Sequence, residues 1–188
     1  MSCDVGLVGF PNSGKSTLFN ILTGRTDSRK MPRYGELADK WDPKGRPGLV
    51  LGDIAGIHWG KKHKPVFGEE GLRYIINAKI LLFIIPFYGT NPNVNNKSRR
   101  IPTVAQYEDN LNSGVKRYEH LAAVCQRQNG FENKKRIIAV NVYERSLKDT
   151  EKDIKRYRAL LENRVSYTAF VPVIATTGEG LQELVAVL

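Results

Sequence analysis

Apolar residues follow two rhythms along this chain. Short unbroken runs occupy residues 4–9 (DVGLVG), 48–53 (GLVLGD), 79–86 (KILLFIIP), 134–141 (KKRIIAVN) and 169–175 (AFVPVIA). Each is too short for a core helix and predicts a buried strand. Between these runs, apolar positions recur at steps of three and four. Residues 14–23 predict a helix that Gly24 is placed to end. Residues 103–126 align Val104, Tyr107, Leu111, Val115, Tyr118, Ala122 and Cys125 on one face, and residues 146–163 do the same with Leu147, Ile154, Tyr157 and Leu161. GEGLQELVAVL opens a last helix at the end of the chain. Strands apolar throughout are covered on both faces, as in parallel sheets. Strands alternating with helices imply right-handed crossovers. The pattern predicts an α/β three-layer sandwich with a mostly parallel sheet, whose ligand sits at the carboxyl ends of the strands.

Composition narrows this picture. A chain of 188 residues with 41% apolar content fits one domain with a full core. The formal charge of +10 is shared about equally between the two halves, so there is no basic tail. Such a surface favours nucleic acid, a ribosome or an anionic membrane as partner, set against an ordinary basic soluble protein. Cys3 and Cys125 have no metal or redox spacing, which suits a reducing compartment. The run ILLFIIPFY is too short to span a bilayer and holds Pro86, so no membrane insertion is expected. The first residues lack the basic region and cleavage site of a secretion signal. No internal repeat is present, and residues 91–100 read as a polar loop.

The chemistry concentrates where the first strand meets the first helix. Gly9 to Ser16 fits G-x-x-x-x-G-K-[ST], with the strand before and the helix after that the motif requires. Glycines let backbone N–H groups turn inward around a phosphate. Lys15 brings a positive charge to the outer phosphates, the Ser16 hydroxyl can ligate Mg²⁺, and the helix start adds its dipole. A glycine-rich turn without ligand is the bland alternative. The second element is Asp53 to Gly56 (DIAG), where a strand-end carboxylate can hold Mg²⁺ through water and a glycine N–H can meet a terminal phosphate.

VGLVGFPNSGKSTLFNILTG, DIAG and ATTGEGLQEL together resemble the Obg and YchF group of translation-factor-related GTPases. The resemblance implies one Ras-like P-loop NTPase domain over residues 1–188, with switch-like loops at 25–47 and 54–70. It implies phosphate binding by Asn12, Ser13, Gly14, Lys15, Ser16 and Thr17, and Mg²⁺ held by Ser16 and Asp53. Lys15 and Gly56 then serve catalysis, Asn141 and Glu144 read the base, and a backbone N–H near Ala175 and Thr176 meets the base carbonyl. It also implies GTP as substrate, a ribosomal subunit or rRNA as partner beside other proteins, and a cytoplasmic or mitochondrial location.

In the group the residue after the D-x-x-G glycine is hydrophobic, and here it is Ile57; an aliphatic side chain cannot orient a water, so His58, the metal or a partner would have to help. Other positions depart from the group's pattern. Residues 27–52 hold no threonine to close on the metal. Val142 stands where a lysine lies along the base, Ile174 where serine is common, and Glu144 replaces aspartate, moving the carboxylate by roughly 1 Å or more. Slow GTP hydrolysis is therefore expected. The alternatives are a degenerate module within an RNA–protein assembly and a YchF-like ATPase. Thr176 and Thr177 also suit caps of the last helix. Lys61, Lys62, His63 and Lys64 beside Trp59 and Phe67 suit RNA contact or a solvated loop; Lys97/Arg99/Arg100, Lys134/Lys135/Arg136 and Lys155/Arg156/Arg158 read mostly as solvated faces.

Overall fold

The computed structural model describes residues 3–24, 49–53, 58–59, 65–66, 69–87, 104–128, 130–143 and 146–188. Strands β1 (Val5–Gly9), β2 (Leu51–Asp53), β5 (Ile80–Phe87), β6 (Lys135–Val142) and β7 (Ala169–Val173) form a five-stranded sheet in the order β2-β1-β5-β6-β7. Every neighbouring pair in it is parallel. Helices α1 (Lys15–Leu22), α3 (Val104–Gln126), α4 (Glu151–Glu162) and α5 (Leu181–Val187) follow the sequence periodicity. Three elements fall within the 54–70 segment expected as loop or start in it. The short strands β3 (His58–Trp59) and β4 (Pro65–Val66) pair antiparallel, and helix α2 (Glu69–Asn77) starts inside it.

The sheet alternates its side chains between two apolar layers, as the period of a strand demands. Leu81, Phe83, Ile85 and Phe87 of β5 pack with Ile138 and Val140 against Val115, Tyr118 and Leu121 of α3, Ile154 and Tyr157 of α4, and Ile75 of α2. Leu82 and Ile84 turn the other way with Leu7, Ala139 and Val173, onto Leu18 and Phe19 of α1 and Leu184 of α5. All eight residues of β5 are buried. This confirms the three-layer α/β sandwich. From β1 the chain goes to β2 on one side and then crosses to β5 on the other, so the strand order reverses at β1. That places a crevice at its carboxyl end, where the Gly9–Ser16 stretch begins.

Gly114 lies inside α3, where glycine ordinarily costs about 1 kcal/mol against alanine. A Cβ there would stand 2.7 Å from the Tyr157 hydroxyl, so glycine lets α4 approach. That hydroxyl is buried and has no hydrogen-bond partner among the described residues, and burial pushes its pKa up. Tyr157→Phe is therefore expected to raise stability by about 1 kcal/mol, seen as a higher urea midpoint at unchanged slope. A lower midpoint would show that the hydroxyl has a stabilising partner.

Asp4 ties the beginnings of three strands. Its carboxylate accepts the Val50 N–H (3.1 Å) and the Lys79 ammonium (3.0 Å). The Val50 bond first, then the Lys79 bond, holds its pKa below the ordinary value. A depressed carboxylate stabilises the fold above its unfolded pKa and loses that contribution as pH falls through the folded value. Asp4→Asn should remove this part of the acid sensitivity, at a cost near neutrality of about 0.5–1 kcal/mol. Thermal melts of both proteins from neutral to acid pH measure it; identical pH slopes would contradict it.

Candidate functional site

The site grows from the turn between β1 and α1. Asn12 adopts a left-handed backbone (φ 62°), and no other non-glycine does so among the described residues. Asparagine tolerates that region better than most residues. Gly14 follows with φ 86° and serves as the N-cap of α1, with no side-chain cap on the helix. A Cβ on Gly14 would meet the Asn141 amide nitrogen at 2.0 Å, so both conformation and space require glycine. The N–H groups of the first turn have no intrahelical acceptors, and the helix dipole adds positive potential there. No acidic residue occupies that turn. Such a helix start suits an anion.

Beside the turn, β2 ends in Asp53. The buried Lys15 ammonium pairs with its Oδ1, and the Ser16 hydroxyl lies 3.3 Å from Oδ2. Lys15 and Ser16 thus both reach the Asp53 carboxylate. Serine hydroxyl and aspartate are hard oxygen donors, few in number. This set fits Mg²⁺, which keeps several waters and takes its remaining ligands from phosphates. Among the described residues no cluster of three or more His, Cys, Asp or Glu offers an all-protein metal cage. The Ser13 hydroxyl is buried and has no hydrogen-bond partner among the described residues.

Across the crevice, the end of β6 closes on the same turn. The Asn141 amide donates to the Ser13 carbonyl (3.0 Å), and its oxygen accepts the Ala175 N–H (3.1 Å). Asn141 is 3% exposed, so these bonds are shielded from water. One proton and one lone pair remain on the amide for a ligand. The Ala175 N–H expected to meet a base already has an acceptor. Thr176 beside it is exposed. Val142 points into the core rather than over the site. The Tyr143 hydroxyl instead donates to the Asn12 carbonyl (2.9 Å), a contact the hydropathy pattern gave no sign of.

The threonine caps are not formed. Gly180, with φ 80°, is the N-cap of α5, while the Thr177 hydroxyl accepts the Glu179 N–H at 3.4 Å. Glycine wins because the tight turn from β7 needs a left-handed residue there. Thr17 lies in the first turn of α1, which begins at Lys15. Gly56, Ile57 and Glu144 lie outside the described residues, as do all of 25–47, Lys61 to Lys64 and Lys97/Arg99/Arg100. Of His58 and Trp59, only the backbone is described. Two basic groups are engaged within the protein. Lys134 donates to the Ile76 (2.7 Å) and Ala78 (2.6 Å) carbonyls, closing the end of α2. Lys155 pairs with Glu151 (2.7 Å) and Arg158 with Glu162 (2.8 Å) along α4.

Comparison with known proteins agrees with this geometry. The family described as 50S ribosome-binding GTPase matches residues 4–142. GTPase Obg of Acetivibrio thermocellus is 28% identical over 97% of this chain and 38% of its own length. An uncharacterised mitochondrial GTP-binding protein of Schizosaccharomyces pombe is 29% identical over 97% of this chain and 41% of its own. The chain therefore spans about two fifths of these relatives. Among solved structures, a variant of SsGBP superposes with TM-score 0.57 at 17% identity, covering 99% of this chain and 53% of that one. The FeoB G domain of Thermotoga maritima gives TM-score 0.50 at 19% identity, covering 100% and 96%. These structures share the P-loop GTPase fold.

Proposed function

We propose, from the premise that this chain belongs to the 50S ribosome-binding GTPase family and is Obg-like, that it binds GTP with Mg²⁺ and hydrolyses it slowly in ribosome assembly or translation. The observation that carries the proposal is the meeting of Lys15, Ser16 and Asp53 at the uncapped start of α1. The first-turn N–H groups would hold the phosphates, and Lys15 would exchange its bond to Asp53 for one to the outer phosphates. Ser16 and Asp53 would hold the metal, which supplies charge neutralisation on the phosphates when bound. Lys15 would then stabilise charge developing as water attacks the terminal phosphate. Asn141 would orient the turn and offer its remaining proton and lone pair to the base, with the Thr176 N–H as neighbour. Glu144 and Gly56 keep the roles the family resemblance implies, Glu144 toward the base and Gly56 toward the terminal phosphate.

Slow turnover follows from Ile57 and from the lack of threonine at 27–52. The partner is a ribosomal subunit or its RNA, supported by the family's description and by the net charge of +10. No helix among the described residues is long and apolar enough to cross a membrane. We place the activity in the cytoplasm, with the mitochondrion as the second location because of the mitochondrial relative.

Mass spectrometry of nucleotide that co-purifies with the protein, with and without Mg²⁺, followed by single-turnover hydrolysis, tests the reading. The expected result is GTP or GDP retained in magnesium and lost on chelation, with slow formation of diphosphate. Retained GTP with no diphosphate over hours would replace it with the structural module. Equal displacement by ATP would remove the base preference. Sedimentation with large ribosomal subunits in the presence of a non-hydrolysable GTP analogue tests the partner.

A further inference from the structure

We propose that Tyr143 is the positioning residue of the phosphate-binding turn. Its hydroxyl bonds the Asn12 carbonyl at 2.9 Å, a residue separated from it by 131 positions in sequence. Asn12 is the residue held in a left-handed backbone, a region that asparagine tolerates better than most residues but that still costs a non-glycine energy. Tyr143 is itself fixed: its N–H donates to the Phe87 carbonyl at 3.1 Å, continuing the β5–β6 ladder. Its hydroxyl would lie 3.4 Å from a Cβ on Gly14, so it covers the next residues of the turn too. Asn141, two positions earlier on the same strand end, grips the Ser13 carbonyl. The end of β6 thus holds consecutive carbonyls of the turn, at Asn12 and Ser13. With those carbonyls drawn toward β6, the following N–H groups are left for phosphate. Val142 between them is buried in the core and cannot take this part.

The inference rests on the nucleotide-binding reading and adds a specific consequence. The clamp acts on the turn that faces phosphates, so it should serve guanine and adenine nucleotides alike. Tyr143→Phe keeps the ring and removes one hydrogen bond. In the nucleotide-free variant, amide hydrogen exchange of residues 12–16 should quicken about tenfold, while α4 and β7 exchange as before. Affinities for GTP, GDP and ATP should each fall about fivefold, leaving their ratios unchanged. Unchanged exchange at 12–16 would overturn the proposal even if nucleotide binds. So would faster exchange throughout with a lowered unfolding midpoint, because Tyr143 would then be merely structural. A change in the GTP-to-ATP ratio would assign Tyr143 to the base instead and overturn it as well. If the unaltered protein bound no nucleotide, the proposed function would fall, whereas the exchange comparison would still decide whether the clamp exists.

Discussion

Lys15→Ala should lower GTP affinity about a hundredfold or more and make the protein less stable as well. The affinity loss follows from removing a charge-assisted bond to phosphate. The stability loss comes from the other side of the pair. Asp53 is only 7% exposed, and its carboxylate would lose the ammonium that Lys15 brings to Oδ1. Deleting one partner of a buried pair costs about 3 kcal/mol, because the remaining charge stays desolvated. The two losses can be separated. Adding Asp53→Asn to Lys15→Ala removes the stranded charge, so the denaturation midpoint should recover while nucleotide affinity does not. Titration calorimetry in millimolar magnesium and urea denaturation of the single and double variants measure both. If Lys15→Ala melts and binds like the unaltered protein, the pair has no role and the phosphate site is elsewhere.

Asn141→Ala should have the second-largest effect. It strands the Ser13 carbonyl and the Ala175 N–H, both of which Asn141 now satisfies out of water. Two buried groups left unpaired cost about 2–4 kcal/mol in total. The turn and the β7–α5 loop would also lose their common anchor, so nucleotide release should quicken by about ten- to a hundredfold. Asn141→Asp distinguishes this arrangement from a generic core defect. Aspartate still accepts the Ala175 N–H, but it presents a carboxylate to the Ser13 carbonyl, one acceptor against another. Its pKa should rise, since burial and that carbonyl both disfavour the charged form. The protonated acid can donate to Ser13 as the amide does. The Asp variant should therefore regain stability as pH falls toward its raised pKa, whereas the Ala variant should not. Stability against pH for the two variants, read by chemical denaturation, gives the answer; parallel curves would count against the bridge.

The fold and half of the site were legible in order along the chain. Unbroken apolar runs gave the buried parallel strands, since a strand covered on both faces needs apolar residues at every position. Three-and-four spacing gave α3 and α4 because one face of each had to be buried. Helix α2 was missed. Its apolar contacts, Leu72, Tyr74 and Ile75, are few and sit beside a glycine-rich basic stretch that reads as loop. The candidate phosphate motif could be read from the chain because its parts are local: Gly14, Lys15 and Ser16 are consecutive.

What the sequence determined by itself was the alternation of strand and helix, and a cation and hydroxyl at the first helix start. These depend on neighbours a few positions apart. Tertiary structure alone decided that Lys15 meets Asp53, that Asn141 ties the turn to Ala175, and that Tyr143 rather than Val142 reaches over it. Those contacts join positions 38, 34 and 131 residues apart. Only the strand order β2-β1-β5-β6-β7, set by burying both faces of the sheet at once, brings their side chains within hydrogen-bond reach.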